Sequence, residues 1–309
     1  MKPLLTLAFK CVLATSSGLS VMAVAGDHHH SPLEFSSEAV TENIIMLQGK
    51  GGNIGLLTGE QGLLMVDDDY GEMSQALSSA LEAYGGEKQL TYIINTHWHG
   101  DHTQGNKVFG QFAPIVAHDN VRQRLLTRNE VKLFGLVSEP YEAPALPSIT
   151  YQQQLTLYIN SEQVQLLYLG HGHTDGDSIV WFKSANVIHM GDFFFNGFFP
   201  FVDLAHGGNV LTLAKNIEKL LPDMPDDIRI IPGHGPLASK ADLQAYVDML
   251  KGTSAEVQAL KAKGLSLSAI QQQGLSDQWA PWTDGFISVP VWIEIVYSSL
   301  SDRKPHQHK

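Results

Sequence analysis

The sequence predicts a layered α/β sandwich, and two observations predict it. Short apolar runs separated by glycine turns dominate two stretches of the chain, and each stretch is followed by segments of helical length. No repeat of solenoid period and no linker rich in proline and serine divides the 309 residues. Two β-rich halves, each followed by helices, are typical of sheets that pack together and carry helices.

The first half is predicted to hold a β-meander, a helix, a buried strand and a second helix. The glycines at 51–52, 59–62 and 85–86 mark its turns. Strands are expected at 44–47, 54–57, 63–66 and 90–94, and helical stretches at 72–84 and near 120–126.

The second half is predicted to repeat this arrangement and to end in helices. Strands are expected at 155–159, 164–169, 178–182, 187–190 and 228–231, and helices at 211–221 and 241–261. Beyond Lys261 we expect further helix, with Trp279, Trp282 and Trp292 packed against the body or against a second subunit.

Residues 1–25 have the pattern of a secretory signal peptide. Lys2 and Lys10 accompany a short apolar run, and Ala23-Val24-Ala25 supplies a small-x-small cleavage pattern. Serines and glycine interrupt the run, so it is too short to span a membrane. We therefore predict cleavage before Gly26, a periplasmic or secreted protein, and no stable membrane anchor after cleavage.

The mature chain is predicted to begin with a mobile segment. Residues 26–40 contain His28-His29-His30, and such a terminal tract usually binds metal only adventitiously. His306 and His308, in the last few residues, are set aside for the same reason. We place the folded domain at 41–309, with a helical C-terminal extension over 241–309.

Composition narrows the classes of function. The chain has 20 Lys+Arg against 32 Asp+Glu, a formal net charge of −12, so it lacks the basic surface that nucleic acid requires. Its single cysteine, Cys11, lies in the predicted signal peptide, so no thiolate is available as nucleophile or ligand. We expect a small-molecule substrate as the partner and no nucleic acid, and the sequence also permits an oligomer.

Potential metal ligands follow several of the predicted strands. His97, His99, Asp101 and His102 come directly after strand 90–94, and side chains two residues apart share a face, so His97 and His99 point the same way. Packing does not explain such a group, because burying unpaired polar side chains is costly. Further candidates next to glycines follow other strands: His171, His173, Asp192 and His234.

In these motifs the sequence resembles the metallo-β-lactamase-fold superfamily, and in particular its exported dinuclear metal hydrolases with Asp as bridging ligand. The family motif His-x-His-x-Asp-His is matched in full by residues 97–102. The third-ligand histidine is matched by His173 in Gly-His-Thr-Asp-Gly-Asp, the bridging carboxylate by Asp192 and the final histidine by His234. The resemblance covers roughly 43–235 and implies a four-layer αββα sandwich with the metals at one edge.

The resemblance also implies a role for each residue. By the family layout, one metal is held by His97, His99 and His173, the other by Asp101, His102 and His234, and both by the bridging Asp192. Asp67 falls where the family often keeps an acid behind the ligands. His171 stands two residues before His173, but the Thr-x-Gly pattern favours His173 as ligand. We expect Asp68 and Asp69 to be solvated, and His118, His189 and His206 to be structural or supporting.

This ligand set predicts a hydrolase. Imidazole and carboxylate ligands favour two divalent ions, zinc above all, with iron and manganese as alternatives. Two such ions generate a bridging hydroxide that attacks a carbonyl or phosphoryl centre, and they stabilise the oxyanion. Asp101 is predicted to be catalytic as well as ligating, because it can orient that hydroxide.

The substrate is expected to be uncharged or amphipathic. Residues 193–201 hold six of the 13 phenylalanines, so this segment predicts a hydrophobic rim or lid beside the metals, with Phe195, Asn196 and Phe198 in contact with substrate. The best-known zinc β-lactamases of the superfamily place Cys or Ser where Asp192 stands, and many have Lys where this chain has Phe195. Asp192 instead matches glyoxalase II, lactonases and other dinuclear hydrolases.

We therefore expect opening of a cyclic amide, a lactone or a related ester, with β-lactam hydrolysis included. Two alternatives remain at this stage. One is a single-iron persulfide-type dioxygenase, and the other is a non-catalytic periplasmic metal-binding accessory protein, such as one that serves a quinoprotein pathway.

Overall fold

A computed structural model describes residues 33–301 of the chain. The predicted signal peptide, the His28-His29-His30 tract, His306 and His308 lie outside the described residues. Among residues 33–301, no helix combines the length and the apolar character needed to cross a bilayer.

Residues 36–151 form the first half of the fold. Its elements, in chain order, are β1 (Ser36–Ala39), β2 (Ile44–Gln48), β3 (Ile54–Leu57), β4 (Leu63–Val66), α1 (Ser74–Leu81), β5 (Leu90–Ile94), α2 (Gly100–Thr103), α3 (Asn106–Phe109), β6 (Ile115–His118), α4 (Asp119–Leu125), β7 (Asn129–Val131), β8 (Leu136–Ser138) and β9 (Ile149–Tyr151). Seven strands make one sheet in the order β1-β2-β3-β4-β5-β6-β9, antiparallel up to β4 and parallel from β4 to β9. β7 and β8 form a separate hairpin.

Residues 154–299 form the second half. Its elements are β10 (Gln154–Ile159), β11 (Glu162–Tyr168), β12 (Ser178–Phe182), β13 (Val187–His189), α5 (Val210–Leu220), β14 (Arg229–Ile231), β15 (Ala238–Ser239), α6 (Lys240–Ala262), α7 (Leu267–Gln273) and α8 (Val289–Ser299). The six strands pair in the order β10 to β15, and only β13 and β14 are parallel to each other.

The two sheets pack face to face, and each carries helices on its outer face. In β4, Leu64 and Val66 join the core shared with residues of the second sheet, whereas Leu63 and Met65 join Leu77 of α1 in a separate core. Because both faces are covered, the central strands are continuous apolar runs rather than alternating ones. Helices α5, α6 and α8 cover the second sheet, so the predicted four-layer αββα sandwich is confirmed.

Six short strands were not predicted from the sequence, namely β1, β6, β7, β8, β9 and β15, and the start of the folded domain lies before the predicted residue 41. β1 lies inside the segment predicted to be mobile, where it pairs along its whole length with β2. Its residues are all exposed, so it has no apolar pattern by which it could be recognised. β6, the β7–β8 hairpin and β9 were also not predicted, because each strand has only three or four residues.

The chain after 261 is helical, as expected, and it packs on the body. Trp292 of α8 is fully buried and stacks on Phe199 at 5.4 Å between ring centroids, with an angle of 10° between the planes. The backbone amide of Phe199 donates a hydrogen bond to the carbonyl of Trp282. The C-terminal helices therefore hold the phenylalanine-rich segment in place.

Candidate metal centre

The predicted ligands meet at one edge of the sandwich because they follow strands of both sheets. His97 follows β5, Asp192 follows β13 and His234 follows β14. Backbone hydrogen bonds join the two sheets at this edge: the amide of Ser178 donates to Thr96 at 2.8 Å, and that of Asn53 donates to Gly233 at 2.7 Å. Ligands from distant parts of the chain are thereby held on a rigid frame.

The first group contains three histidines and one carboxylate oxygen. Nδ1 of His99 lies 3.2 Å from Nε2 of His97 and 2.8 Å from Nε2 of His173. Oδ2 of Asp192 lies 3.7 Å from Nε2 of His97 and 3.3 Å from Nε2 of His173. All four residues are buried, and one atom of each could bind a common metal ion.

The second group contains Asp101, His102 and His234, which could also hold an ion. Oδ2 of Asp101 lies 3.6 Å from Nε2 of His102 and 3.3 Å from Nε2 of His234. The other oxygen of Asp192, Oδ1, lies 3.1 Å from Nε2 of His102 and 3.5 Å from Nε2 of His234. Asp192 therefore turns one oxygen toward each group.

Hydrogen bonds behind the histidines fix which ring nitrogen faces the centre. Nε2 of His99 donates to Oδ2 of Asp203 at 3.0 Å, and Nδ1 of His173 donates to the Phe201 carbonyl at 2.8 Å. Nδ1 of His102 donates to Oδ2 of Asp67 at 2.8 Å. In each neutral ring the opposite nitrogen then carries a lone pair, and that nitrogen points into the centre.

Asp67 supports two ligands at once, in keeping with the position that the resemblance implied for it. Besides His102, its carboxylate accepts hydrogen bonds from the backbone amide and the hydroxyl of Thr96, both at 2.8 Å. Since the Thr96 hydroxyl donates to Asp67, its oxygen can accept from Nδ1 of His97, which lies 3.1 Å away. Nε2 of His97 is then also a lone-pair donor to a metal.

These observations fit a bound cation. Lone-pair nitrogens 2.8 to 3.2 Å apart cannot hydrogen-bond to one another and repel unless a positive charge lies between them. Nε2 of His102 and Oδ1 of Asp192 are buried 3.1 Å apart, and neither makes a well-aligned hydrogen bond within the described chain. Such atoms are costly unless a ligand satisfies them, and a metal ion does so. The donor set of imidazoles and carboxylates suits a divalent transition metal.

The pKa values of the metal-free protein differ between the two groups. Burial lowers the pKa of His173 to about 4 and holds that of His97 well below its ordinary value, so both stay neutral and able to bind metal. Burial also lowers the pKa of His234, but the carboxylates of Asp192 and Asp101 outweigh it and raise the value to about 9. A metal at the second group must therefore displace a proton from this imidazole at neutral pH.

The seven predicted ligands are brought together by the fold, whereas several neighbouring residues are placed differently. His171 is exposed, and its Nδ1 donates to the Gly207 carbonyl, away from the centre. The expectation that Asp68 and Asp69 are solvated is wrong, because both are fully buried. Asp69 binds the loop before β3 by accepting hydrogen bonds from the amides of Lys50 and Gly51.

Asp203 is a functional residue that sequence reasoning missed. Its Oδ2 accepts from Nε2 of His99 at 3.0 Å and from Nδ1 of His206 at 2.7 Å. Burial raises its pKa, but these hydrogen bonds outweigh burial and hold the pKa of Asp203 below its ordinary range, so it is ionised. The indication in the sequence was the three-residue spacing of Asp203 and His206, which is typical of an acid that caps a short helical turn.

The phenylalanine-rich segment only partly forms the rim that was expected. Phe193, Phe194 and Phe199 are fully buried in the core. Phe195 does line the site, where its ring stacks on His234 at 5.0 Å between centroids. Asn196 and Phe198, predicted as substrate contacts, do not line it.

Each of those two side chains has another partner. The amide of Asn196 donates to the Pro236 carbonyl at 3.0 Å. The ring of Phe198 lies against Phe286, 5.8 Å away between centroids, and so stands behind the wall of the cavity.

A cavity of about 390 Å³ opens above the two groups. Its floor includes the ligands His99, Asp101, Asp192 and His234, and the β7–β8 hairpin and Phe286 supply walls that sequence reasoning did not assign to the site.

Comparison with known proteins agrees with this geometry. Residues 47–234 match the family model of the metallo-beta-lactamase superfamily, and this range contains all seven ligands. The chain is 26% identical over 220 residues to metallo-beta-lactamase type 2 of Bacillus cereus, which covers 70% of this chain and 76% of the relative. It is also 26% identical over 221 residues to the beta-lactamase-like protein 2 homolog of Caenorhabditis elegans, covering 69% of this chain and 66% of the relative.

Solved structures share the fold. The DIM-1 metallo-beta-lactamase superposes with a TM-score of 0.56 at 19% identity, covering 71% of this chain and 98% of that one. The sec-alkylsulfatase Pisa1 from Pseudomonas sp. superposes with a TM-score of 0.63 at 14% identity, covering 86% of this chain and 50% of the other. Because the family model matches more than half of the sequence, this chain belongs to the metallo-beta-lactamase superfamily, and its His/Asp cluster supports a metal-dependent hydrolase.

Proposed function

We propose that the protein is a dinuclear hydrolase that uses two zinc ions to open a cyclic amide, a lactone or a related ester. The observation that carries the proposal is the placement of Asp192, whose Oδ2 faces His97 and His173 while its Oδ1 faces His102 and His234. One carboxylate between two groups of ligands is the arrangement that two neighbouring ions require.

The residues of the site have separate roles in the proposed reaction. The two ions, when bound, supply Lewis acidity that lowers the pKa of water and stabilises negative charge on the attacked carbonyl oxygen. Asp67 and Asp203 fix the rings of His102 and His99, so the ligand nitrogens need no reorganisation. Asp101 is one-fifth exposed and lines the cavity, so its carboxylate can accept a hydrogen bond from an attacking water and orient it.

The lining of the cavity supports the proposed substrate class. The curated relatives include metallo-beta-lactamases, but this chain has Asp192 at the bridge and Phe195 three residues later. Among the described residues that line the cavity, Lys50 is the only lysine or arginine, and it is paired with Glu72. An uncharged cyclic ester or amide fits such a site better than a substrate that binds through its own carboxylate group.

We also propose that the mature protein acts in the periplasm or outside the cell, on a small molecule. The support is the signal-peptide pattern of residues 1–25 and the acidic composition of the chain. N-terminal sequencing of protein from fractionated cells should find Gly26 first, and an intact Met1 in the cytoplasmic fraction would contradict the proposal.

A substrate panel on zinc-loaded protein tests the proposed reaction. It should include lactones, β-lactams, thioesters and phosphodiesters, with His99→Ala as the control that removes a ligand. We expect lactone or β-lactam hydrolysis that falls at least about a hundredfold in His99→Ala. Oxygen uptake with persulfide by an iron-loaded protein would instead support a dioxygenase, and two bound metals without any turnover would favour an accessory role.

A further inference from the structure

One wall of the cavity is made of apolar side chains that remain open to solvent. Phe134, Leu136 and Val137 come from the β7–β8 hairpin and are 40%, 48% and 44% exposed. Phe286, from the loop before α8, is 53% exposed. Four large apolar residues exposed around one opening are unusual for a soluble domain and mark a binding surface.

These residues connect to the metal ligands through ring contacts. Phe134 lies 5.0 Å from Phe201 and 5.9 Å from Phe286, measured between ring centroids. Phe201 in turn lies 5.8 Å from His99, and Phe286 lies 6.0 Å from His234. The apolar wall therefore runs without interruption from the rim to both groups of ligands.

Another part of the cavity lining is polar. Lys50, Tyr70 and Gln104 line it, and the Lys50 ammonium lies 5.8 Å from the centre of the Tyr70 ring. The side-chain carbonyl of Gln104 accepts a hydrogen bond from the Gly71 amide, which fixes this side of the opening. A ligand that enters the cavity thus meets both apolar and polar side chains.

We propose that the hairpin and Phe286 form a subsite for an apolar substituent, an alkyl chain or an aromatic ring, of the substrate that is hydrolysed at the metal centre. The inference rests on the proposed hydrolase function, since it places the substituent beside the bond that is cleaved. Burying the chain against four exposed apolar residues removes both surfaces from water, so each added methylene strengthens binding. The polar side chains of the lining can hydrogen-bond to the ring oxygen or amide of the substrate.

The hairpin supplies its own control residue. Leu133 is 45% exposed, much like Leu136, but it lines a different cavity of about 280 Å³ beside Val291 and Ile295 of α8. Replacing Leu133 removes the same side chain from the same hairpin without changing the wall that faces the metals. A general effect on the hairpin would appear in both variants, whereas a subsite effect would appear only in Leu136→Ala.

The test is a homologous series of γ-lactones on zinc-loaded protein, from the unsubstituted ring to a ring with a hexyl chain. We expect kcat/KM to rise about threefold with each methylene until the wall is covered. Leu136→Ala and Phe286→Ala should lower the ratio of hexyl to unsubstituted kcat/KM about tenfold, while Leu133→Ala keeps the wild-type ratio. An equal ratio in wild type and all three variants would overturn the subsite.

A binding series separates this inference from the proposed reaction. Alkyl hydroxamates of increasing chain length are titrated calorimetrically into the zinc-loaded protein, which requires no turnover. Affinity should rise with chain length in the wild type, and this rise should disappear in Phe286→Ala. That result supports the subsite even if no lactone is hydrolysed. Lactone hydrolysis with no chain-length dependence in either series would leave the hydrolase standing and overturn the subsite.

Discussion

Asp203 lies behind His99, one of the predicted ligands, and is not itself a predicted ligand. Its carboxylate holds His99 in the tautomer whose Nδ1 faces His97 and His173. Without that acceptor, His99 is free to turn its ring or to carry its proton on the wrong nitrogen. The residue is 3% exposed, so no water can replace it easily.

We predict that Asp203→Asn weakens metal binding about 10- to 100-fold, because the variant loses the anionic acceptor behind His99. Competition with a chromogenic chelator measures the affinity. Asp226→Asn is the matched control, since Asp226 forms only an exposed ion pair with Lys240. Unchanged metal affinity in Asp203→Asn would show that Asp203 does not position the ligand.

The loop between β11 and β12 depends on a second buried acid. The carboxylate of Asp177 accepts hydrogen bonds from the amide and the hydroxyl of Thr174, next to the ligand His173. Burial raises its pKa to about 7, against an ordinary value of 3.8, and these hydrogen bonds only partly oppose the effect. In the folded metal-free protein this group therefore holds its proton over a range in which the unfolded chain has lost it.

This shift predicts a pH effect with a definite sign. Because the folded pKa is raised, the contribution of Asp177 to stability is complete below pH 3.8 and is lost as pH rises through about 7. Relative to Asp177→Asn, the wild-type free energy of unfolding should fall across that interval. Urea unfolding of both metal-free proteins at about pH 4.5 and about pH 8 measures the difference. A constant difference would contradict the assignment.

At the scale of elements, the C-terminal helices are part of the site. α8 buries Trp292 against Phe199, and the loop before α8 supplies Phe286 to the cavity.

We predict that Trp292→Ala lowers the free energy of unfolding by about 3–5 kcal/mol, since it leaves a large cavity in the core. Denaturant unfolding checks this value, with Trp279→Ala as a comparison because that side chain is only partly buried. Equal losses in the two variants would show that burial against Phe199 is not the cause.

The elements that the sequence predicted well are those whose environment leaves a clear pattern. β3 and β4 are buried along their whole length, so their apolar runs end where the strands end. β1 is exposed throughout and is held only by backbone pairing, which no side-chain pattern reveals. The hairpin carries apolar residues that are not in the core, so its pattern predicted neither the strands nor their place at the cavity.

The sequence predicted the residues of the candidate site that lie in recognisable motifs, but not those that reach it from distant parts of the chain. The ligands lie in short motifs with glycine neighbours, and the resemblance assigned them together with Asp67. Asp203 and Phe286 act on residues 104 and 52 positions away in the chain, so only the folded structure brings them to the centre. Asp68 and Asp69 are buried because the loop after β4 is hydrogen-bonded through its backbone to His102 and Gly105, which an acidic run does not indicate.

At the scale of the whole molecule, two sheets provide two groups of ligands and one carboxylate between them. Asp192 comes from the second sheet, yet its oxygens face His97 and His102 from the loop after β5 of the first. The centre therefore depends on how the two halves pack, and a dinuclear hydrolase requires that both groups bind metal.

Metal content per chain measures this most directly. Apo-protein is reconstituted with zinc, freed of excess and analysed by mass spectrometry of the metal against protein concentration, alongside His234→Ala. We predict two zinc ions in the wild type and one in His234→Ala, because that variant keeps the group of His97, His99 and His173 intact. A wild type that binds one ion or none would contradict the dinuclear centre.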